Sequence, residues 1–391
     1  MAKVRKRTWQ TKIGEHTAWV ADYFSPGPDG KRQRHSKTFP TRKEASAWLA
    51  HTVVEIKQGT HTPAHRSPTV IEAGEAWIAQ AETDGLERAS IHQYRTHLDL
   101  HIKPFLGLHK LAELTPAAVQ SFRNVLVRQG RSRALAGKVV SSLGSILAEA
   151  MARGQVARNI VHEAARGDRR RARVERRHTR KLQVGVDLPT KDELRAMLEH
   201  AGRLRPLLTT AIFTGLRSSE LRGLTWDDVD LDRRILTVRQ RADRWNTLGS
   251  PKSSAGRREV PLAPIVVATL REWRLACPRF AGDGERRLLF VFPDGAGNVD
   301  SHHNIHRSTG LGRVQFDAGI TTDARAPRYG LHSLRHTAAS LFIEQGFSPK
   351  RVQALMGHSS IGMTFDVYGH LWPNAADDQA QMSQLQARLI G

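Results

Sequence analysis

The sequence predicts a multidomain protein that is mainly α-helical and carries small β-sheets. Its 391 residues are enough for two or three domains. Apolar residues recur with helical spacing through most of the chain, whereas segments that alternate like strands are few and short. A strongly charged stretch at residues 166–181 separates two groups of helices. We therefore expect a small hairpin-and-helix domain, a helical domain and an α+β domain, in that order.

The first domain, residues 1–62, is predicted to combine a β-hairpin with one helix. Residues 16–24 alternate like a strand, and residues 31–39 return as a second strand after a turn rich in Pro and Gly. Thr41 and Glu44 have the spacing of a capping box at the start of the helix. The second strand carries four cations, which are candidates for contact with a polyanion: Lys31, Arg32, Arg34 and Lys37. A solvated basic face is the alternative interpretation of this strand.

Residues 67–165 are predicted to form a helical domain without strands. Thr69 and Glu72 open one helix, and Thr115 with Pro116 opens another. The domain carries basic residues but shows no pattern typical of an active site, so we interpret it as a clamp around a polyanionic partner. The candidate contacts in it are Arg131, Arg133 and Lys138.

The rest of the chain divides into a linker, a third domain and a tail. Residues 166–187 begin with the charged stretch, which is too poor in apolar residues to fold, and form a basic linker. The third domain, residues 188–374, is mostly helical. Two strand-like segments within it, 234–241 and 257–262, predict a small sheet around Lys252. The tail from 375 to 391 has apolar residues at helical spacing and follows this domain.

The charge of the chain indicates a nucleic-acid partner. Lys and Arg number 60 against 38 acidic residues, which gives a net charge of +22 and a pI near 11.0. An apolar run long enough for a membrane span and the apolar core of a signal peptide are both missing, so we expect a cytoplasmic protein without a membrane partner. The single cysteine, Cys277, excludes an internal disulfide and a Cys-based zinc knuckle, and is typical of a buried, inert thiol.

Two motifs of the third domain hold arginines at helical spacing from a second polar residue. Arg217 stands three residues before Glu220, so a helical turn would let the carboxylate orient the guanidinium. His332 and Arg335 stand three apart on a predicted helix. His332 and His336 have the spacing of a metal-binding pair. We disfavour a metal because no Glu follows His332 and Arg335 adds positive charge.

Two further motifs supply a histidine, a tyrosine and a lysine. Ser348 begins a short helix that Gly357 ends, and His358 is expected to project from its terminus. Tyr368 precedes a glycine among polar neighbours, which favours an exposed tyrosine over a core residue. Lys252 lies on an arm between strands, where it can enter a site. Each motif alone is more typical of a structural role; together they have the residue types needed for phosphodiester transfer.

The combined set predicts a reaction that needs neither metal nor cofactor. The two arginines can hold the non-bridging oxygens of a phosphate and stabilise charge that develops on them. Tyr368 can act as the nucleophile if a neutral His332 accepts its proton. His358 can donate a hydrogen bond to the phosphoryl oxygens, and Lys252 can protonate the departing alkoxide.

The order of these residues resembles that of the tyrosine recombinases, the phage-integrase family. Residues 355–360 (Leu-Met-Gly-His-Ser-Ser) and 366–370 (Asp-Val-Tyr-Gly-His) are close to the sequence motifs typical of the family. The resemblance implies that 1–62 binds arm-type DNA sites, that 67–165 binds the core site, and that 188–374 is catalytic. It implies a 3′-phosphotyrosyl intermediate, a released 5′-hydroxyl, and integration or excision of a mobile element such as a prophage or genomic island.

The resemblance also implies partners. Four protomers would assemble on two DNA duplexes, with accessory DNA-bending or directionality proteins, in the bacterial cytoplasm and associated with the nucleoid when bound to DNA. The tail would dock on a neighbouring protomer or pack on its own domain. A type IB topoisomerase would use the same residues, and an inactive DNA-binding protein of this fold is the remaining alternative.

Overall fold

The fold was analysed in a computed structural model of the chain. It describes residues 2–11, 14–26, 31–58, 61–63, 67–164, 182–282, 285–306, 309–372, 382–383 and 386–388. The basic stretch 166–181 and most of the tail lie outside the described residues, so the hypotheses on the linker and on docking of the tail stay predictions. The chain forms two compact units, Met1–Thr179 and Arg180–Gly391.

The first unit begins with a three-stranded antiparallel sheet covered by one helix. The sheet has the order β1-β2-β3, from β1 (Lys3–Thr11), β2 (Gly14–Pro26) and β3 (Arg32–Phe39), and is followed by α1 (Arg42–Lys57). Ala21 and Tyr23 of the sheet pack against Ala45 and Leu49 of the helix. The hairpin and the helix are confirmed, and Thr41 caps the helix by accepting a hydrogen bond from the Glu44 N–H at 3.2 Å.

The sequence interpretation missed β1. This strand carries Lys or Arg at positions 3, 5, 6 and 7, so it lacks the apolar alternation by which a strand is recognised. The basic side chains are explained by contacts on the face of the sheet that lies away from α1. There, Arg5 and Arg34 from the two outer strands both donate to the carboxylate of Asp22, at 2.7 Å and 3.1 Å. Asp22 is 2% exposed, so it fixes two guanidinium groups over the face that α1 does not cover.

Lys37 lies on the other face of the sheet. Its ammonium lies 5.4 Å from the ring centre of Trp48 on α1 and 3.2 Å from the Glu113 carboxylate in the helical part. A second ion pair joins the same two parts with the charges exchanged: Arg158 of the helical part contacts the carboxylate of Glu55 on α1 at 2.9 Å. Lys37 is thus used to dock the sheet module on the helices.

Besides a helical segment at residues 160–164, the described residues of the helical part of the first unit form five α-helices. They are α2 (Val70–Thr83), α3 (Arg88–His97), α4 (Lys103–Leu106), α5 (Pro116–Arg128) and α6 (Arg133–Ala152), with a π-helical turn at Leu98–Ile102 and a 3₁₀ turn at Leu111–Glu113. The predicted capping box at Thr69 and Glu72 is complete. Leu143 and Ile146 of α6 are fully buried at the centre of this core.

Among the described residues, α6 has the length and apolar composition of a membrane-spanning helix. Its buried side chains, however, pack against the neighbouring helices of the first unit. It is therefore interpreted as the core helix of this domain. Arg131, Arg133 and Lys138 lie exposed around its first turns.

The second unit is mixed, with helices around small sheets, as predicted. Its helices are α7 (Lys191–Glu199), α8 (Arg205–Thr214), α9 (Ser218–Gly223), α10 (Pro264–Ala276), α11 (His302–His306), α12 (Leu311–Asp317), α13 (Leu331–Glu344), α14 (Pro349–Met356) and α15 (Ile361–Tyr368). Its strands are β4 (Val229–Asp230), β5 (Ile235–Val238), β6 (Arg241–Ala242), β7 (Leu248–Gly249), β8 (Arg258–Pro261), β9 (Phe280–Gly282) and β10 (Glu285–Arg287). β5 lies between β4 and β8 in an antiparallel sheet.

The topology of this unit brings the predicted motifs to one place. α8 packs against α13 and α10, and β8 contacts α14. The Arg217 motif starts α9, the His332 motif is on α13, and Tyr368 ends α15. The core beneath them contains Leu208, Leu221, Leu334 and Leu355. Cys277 is buried, as predicted.

Candidate active site

Arg217 is held at the junction of two helices. α8 ends at Gly215, whose φ of 63° is left-handed, and a Cβ there would come within 2.9 Å of the Met356 sulfur. Arg217 then donates its main-chain N–H to Glu220 Oε2 and its Nη1 to Oε1, both at 2.8 Å. Its side chain is 34% exposed. The carboxylate thus fixes a guanidinium that still has access to a ligand from solvent.

Glu220 also holds a second arginine that the sequence interpretation missed. Arg258 donates to both Glu220 oxygens, from Nη1 at 3.1 Å and Nη2 at 2.9 Å. Burial alone raises the pKa of Glu220, but the hydrogen bonds and charges of Arg258 and Arg217 bring it below its ordinary value. Glu220 is therefore an ionised carboxylate that is shared by two guanidinium groups.

Three successive carbonyls at the end of α14 each accept a hydrogen bond from a different arginine. Leu355 O accepts from Arg258 Nε at 2.6 Å, Met356 O from Arg335 Nη2, and Gly357 O from Arg217 Nη2 at 2.9 Å. The carbonyls at a helix C-terminus have no partner within the helix and carry partial negative charge. The end of α14 therefore contacts all three cations through its main-chain carbonyls.

Gly357 makes this row of carbonyls accessible. It ends α14 in the left-handed conformation, with φ of 61°. A Cβ at this position would lie 2.8 Å from Arg258 Nη1 and 3.0 Å from Ala255 O. The main chain can approach the arginines this closely because position 357 has no side chain.

Arg335 is the most deeply buried of the three cations that the sequence predicted for the site, Arg217, Lys252 and Arg335. It is 4% exposed, and its Nη1 donates to Gly215 O at 2.6 Å. Burial and the charge of Arg217 lower its pKa to about 9, so it remains a cation at neutral pH. The sequence placed it on a polar helix face; in the structure that face is covered by the ends of α8 and α14.

His358 lies inside the protein, which corrects the expectation that it projects from the helix end. It is 7% exposed, and its Nδ1 lies 2.9 Å from Thr364 Oγ1 on α15. The left-handed turn at Gly357 directs the chain back over the arginines instead of outward. His358 is thus oriented by Thr364. Its pKa is lowered by burial and by the charges of three arginines, Arg335, Arg217 and Arg258.

Tyr368 is also buried, so the expectation of an exposed tyrosine was wrong. It is 1% exposed and packs with Ala339, Ile343 and Val352. An aromatic ring has a large apolar area to bury, and α15 lies close enough to α13 and α14 to cover it. Its hydroxyl oxygen lies 2.5 Å from Nδ1 of His336. Burial raises the pKa of this phenol to about 12.

His336 is the second residue that the sequence interpretation did not assign to this chemistry. It lies one helical turn after His332, and the two rings are 4.4 Å apart. The sequence signal was visible as the His332/His336 pair, which was considered only for metal binding. In the described part of the chain, no three His, Cys, Asp or Glu residues form a group that could hold a metal ion.

His332 and Lys252 both lie at the protein surface, with exposed side chains. Partial desolvation by the surrounding protein, together with the charges of Arg335 and Arg217, lowers the pKa of His332, which favours a neutral imidazole at pH 7. Lys252 lies on the loop between β7 and β8, as predicted. The site thus has three arginines in its interior, two of them deeply buried, and His332 on its solvent side.

Two histidines of the site, the half-buried His336 and the buried His358, predict acid sensitivity. Burial, with the neighbouring positive charges, lowers the pKa of His336 and of His358 to about 4. The unfolded chain, with ordinary imidazoles, binds more protons below pH ~6.5, so the free energy of unfolding should fall as pH drops from about 6.5 to about 4.

The measurement is urea unfolding across this pH range for wild type and His336→Gln. In the variant, the slope of the free energy of unfolding against pH should be smaller by up to about 1.4 kcal/mol per pH unit, which is the limit for one bound proton. His303→Gln, which removes an exposed histidine of the same unit, is the matched control. A variant with the wild-type slope would contradict the assignment of His336 as a half-buried, neutral imidazole.

Comparison with known proteins identifies the family. Residues 189–374 match the model described as the phage integrase family, and residues 72–127 match the phage integrase N-terminal SAM-like domain. The chain belongs to the phage integrase family. This tyrosine recombinase is 24% identical over 392 residues to a XerC-like tyrosine recombinase of Caldanaerobacter subterraneus subsp. tengcongensis, an alignment that covers 94% of this chain and 96% of the relative.

Solved structures of two integrases share the fold of this recombinase. The Tn1549 transposon integrase, solved with a circular-intermediate DNA, is 20% identical with a TM-score of 0.65, covering 82% of this chain and 100% of that chain. The lambda integrase, solved as a tetramer bound to a Holliday junction, is 18% identical with a TM-score of 0.57, covering 94% of each chain. The predicted family and the predicted fold class are thus confirmed.

Proposed function

We propose that this tyrosine recombinase cuts and rejoins DNA strands through a phosphotyrosyl bond to Tyr368, to integrate and excise a mobile element. The observation that carries the proposal is the convergence of Arg217, Arg335, His358 and Tyr368 around the end of α14. The relatives found are named as integrases, recombinases and transposon transposases, which favours neither a topoisomerase nor an inactive fold.

In the proposed reaction, the phosphate binds where Arg217 faces solvent. Both guanidinium groups donate to its non-bridging oxygens, and His358 adds a third donor, so charge that develops at phosphorus is stabilised by fixed groups. The Tyr368 oxygen attacks phosphorus and gives its proton to His332. The 3′-phosphotyrosyl bond forms as the bond to the 5′-oxygen breaks, and Lys252 protonates that oxygen. A 5′-hydroxyl of the partner duplex reverses these steps, so the energy of one phosphodiester is conserved.

This sequence of steps requires Tyr368 to leave its buried position. In the structure its hydroxyl faces His336, and its side chain is nearly inaccessible. We infer that DNA binding shifts α15 so that the phenol turns from His336 toward the arginines. The hydrogen bond to His336 and the apolar contacts of the ring are the interactions that must be given up.

DNA is the proposed partner of both parts of the first unit. The exposed cations at the start of α6, Arg131, Arg133 and Lys138, suit the phosphates of a core site. On the sheet, we propose that the face around Asp22 contacts an accessory site, through Arg5 and Arg34. Lys31 and Arg32 remain candidates beside them, whereas Lys37 is used within the protein.

We further propose a tetramer on two duplexes and a place in the bacterial cytoplasm. The lambda integrase tetramer on a Holliday junction supports the assembly, and relatives such as the ICEBs1 integrase of Bacillus subtilis support a bacterial mobile element. Accessory DNA-bending or directionality proteins are part of the same proposal.

Covalent trapping tests the proposed function. The protein is incubated in EDTA with nicked suicide duplexes tiled across the DNA that flanks its own gene. We expect a denaturant-resistant adduct on one tile, a phosphotyrosyl peptide that contains Tyr368, and a free 5′-hydroxyl on the released strand. Tight DNA binding without an adduct on any tile would instead support the inactive DNA-binding fold.

The sheet face gives a separate prediction about salt. Replacing Arg5 and Arg34 by Ala should weaken binding to accessory-site DNA, and the slope of log K against log salt should decrease by about 1 for each lost phosphate contact. Cleavage at the core site should not change. Binding is measured by fluorescence anisotropy across a salt series. Lys37→Ala is the matched control, and a loss of slope in that variant alone would contradict the assignment of the face.

A further inference from the structure

Arg258 is the most fully engaged side chain near the candidate active site. It is 6% exposed. It contacts Glu220 with two nitrogens, Leu355 O with Nε, and Gly256 O with Nη1 at 2.9 Å. Its Nε, Nη1 and Nη2 all donate to protein acceptors, so Arg258 is not placed to bind DNA itself.

The contacts of Arg258 join three separate motifs. Glu220 belongs to the segment that carries Arg217, Leu355 O is next to the carbonyls that hold Arg335 and Arg217, and Gly256 follows the loop of Lys252. Val238 and Arg258 pair in the sheet, so the position of Arg258 is set by β5 and β8. One buried cation therefore connects the sheet, the lysine loop, α9 and the end of α14.

The orientation of Arg217 depends on this arrangement. Glu220 is the carboxylate that orients Arg217, and each of its two oxygens also accepts from Arg258. A carboxylate on a short helix has several rotamers, and a second, bidentate arginine selects one of them. If Arg258 is lost, Glu220 loses the contacts that fix its plane.

We propose that Arg258 is a positioning residue for strand cleavage, which acts by fixing Glu220 and the end of α14 so that Arg217 meets the scissile phosphate in one orientation. This inference rests on the proposed function of the site. It assigns Arg258 no contact with DNA. Its loss therefore reduces the rate of the bound complex and leaves the affinity for DNA nearly unchanged.

The test compares Arg258→Lys and Arg258→Met with wild type on a suicide duplex. At saturating DNA, the rate of adduct formation should fall by about 30-fold for the Lys variant, and further for the Met variant. The Kd should stay within about threefold of wild type. The Lys variant keeps a cation but not the bidentate contact with Glu220, so it separates geometry from charge.

Val260→Ala is the matched control for loss of stability. Val260 is two residues along the same strand, 1% exposed, and packs in the apolar core without a polar contact to the site. At a temperature where all variants are folded, it should form adducts at the wild-type rate. An equal loss of rate in Val260→Ala and Arg258→Lys would overturn the proposal, because the effect would then follow stability alone.

A second readout does not depend on cleavage. The Nε–H resonance of Arg217, assigned by its absence in Arg217→Lys, reports the environment of that guanidinium by NMR. It should shift or broaden in Arg258→Lys and not in Val260→Ala. If wild type forms no adduct, the proposed function fails, and this signal still decides the inference: a displaced resonance supports the positioning role and an unmoved one overturns it.

Discussion

Replacing Tyr368 with Phe should abolish the covalent adduct and leave DNA binding within about twofold of wild type. The variant removes the only atom that is proposed to bond to phosphorus, so adduct formation should fall by at least about 10⁴-fold, to background. The ring still fills its place among Ala339, Ile343 and Val352. Adduct is measured on denaturing gels with a suicide duplex, and binding is measured by mobility shift.

Tyr329→Phe is the matched control for this change. Tyr329 is also fully buried in the second unit, and its hydroxyl donates to Glu193 at 3.1 Å. Both variants lose one buried phenol hydrogen bond, at a cost of about 1 kcal/mol. Only Tyr368→Phe should lose the adduct. Retained adduct in that variant, or loss in both, would contradict Tyr368 as the nucleophile.

The two predicted arginines should give equal losses of cleavage but unequal losses of stability. Removing either guanidinium takes donors from the phosphate, so Arg217→Ala and Arg335→Ala should each slow adduct formation by about 10³-fold. Arg335→Ala also leaves the carbonyls of Gly215 and Met356 buried without a donor. We expect a loss of about 2–4 kcal/mol in the free energy of unfolding for Arg335→Ala, and below about 1 kcal/mol for the partly exposed Arg217→Ala.

Urea unfolding of both variants, followed by adduct assays at a temperature where both are folded, checks these numbers. Arg222 provides a control for a buried arginine, because its Nε donates to Asp300 O at 2.7 Å outside the arginine cluster. Arg222→Ala should lower stability as Arg335→Ala does. If Arg335→Ala were as stable as wild type, the burial and carbonyl contacts described for Arg335 would not carry the energy assigned to them.

The sequence was sufficient for features that depend on local pattern. The capping box at Thr69, the helix that Gly357 ends, and the strands on either side of Lys252 were all predicted and are present. Each depends on residues within one turn or one strand. The same is true of the order of the motifs, which placed the candidate site in the second unit.

Features that depend on packing between distant segments were not predicted. Tyr368 is buried because α15 packs on α13 and α14, and no local pattern at Tyr368 encodes that contact. Arg258 shared an exposed basic stretch with Arg257 in the sequence, and only the strand register turns it inward. One signal was available. Arg258 and Val260 are two residues apart in a strand and therefore share a face, so the apolar Val260 marked the position of Arg258 as facing the core.

β1 was missed for a different reason. A strand is recognised by apolar alternation, and Lys3–Thr11 has cations at the positions that would mark its two faces. It is held in the sheet by main-chain pairing with β2 and by the bond between Arg5 and Asp22. Basic strands of this kind are recognisable only when the acidic residue on the neighbouring strand is considered with them.

The burial of Tyr368 has a consequence for the host genome. A genome offers on the order of 10⁶–10⁹ non-specific sites, and a permanently exposed nucleophile beside two arginines would meet their phosphodiester bonds by chance. On the proposal that Tyr368 is the nucleophile, the bond of its hydroxyl to His336 and the enclosure of its ring keep it out of reach of non-cognate DNA in the free protein. Strand breakage would then be restricted to complexes whose binding energy is large enough to move α15, so selection against wrong sites would begin before any base is recognised.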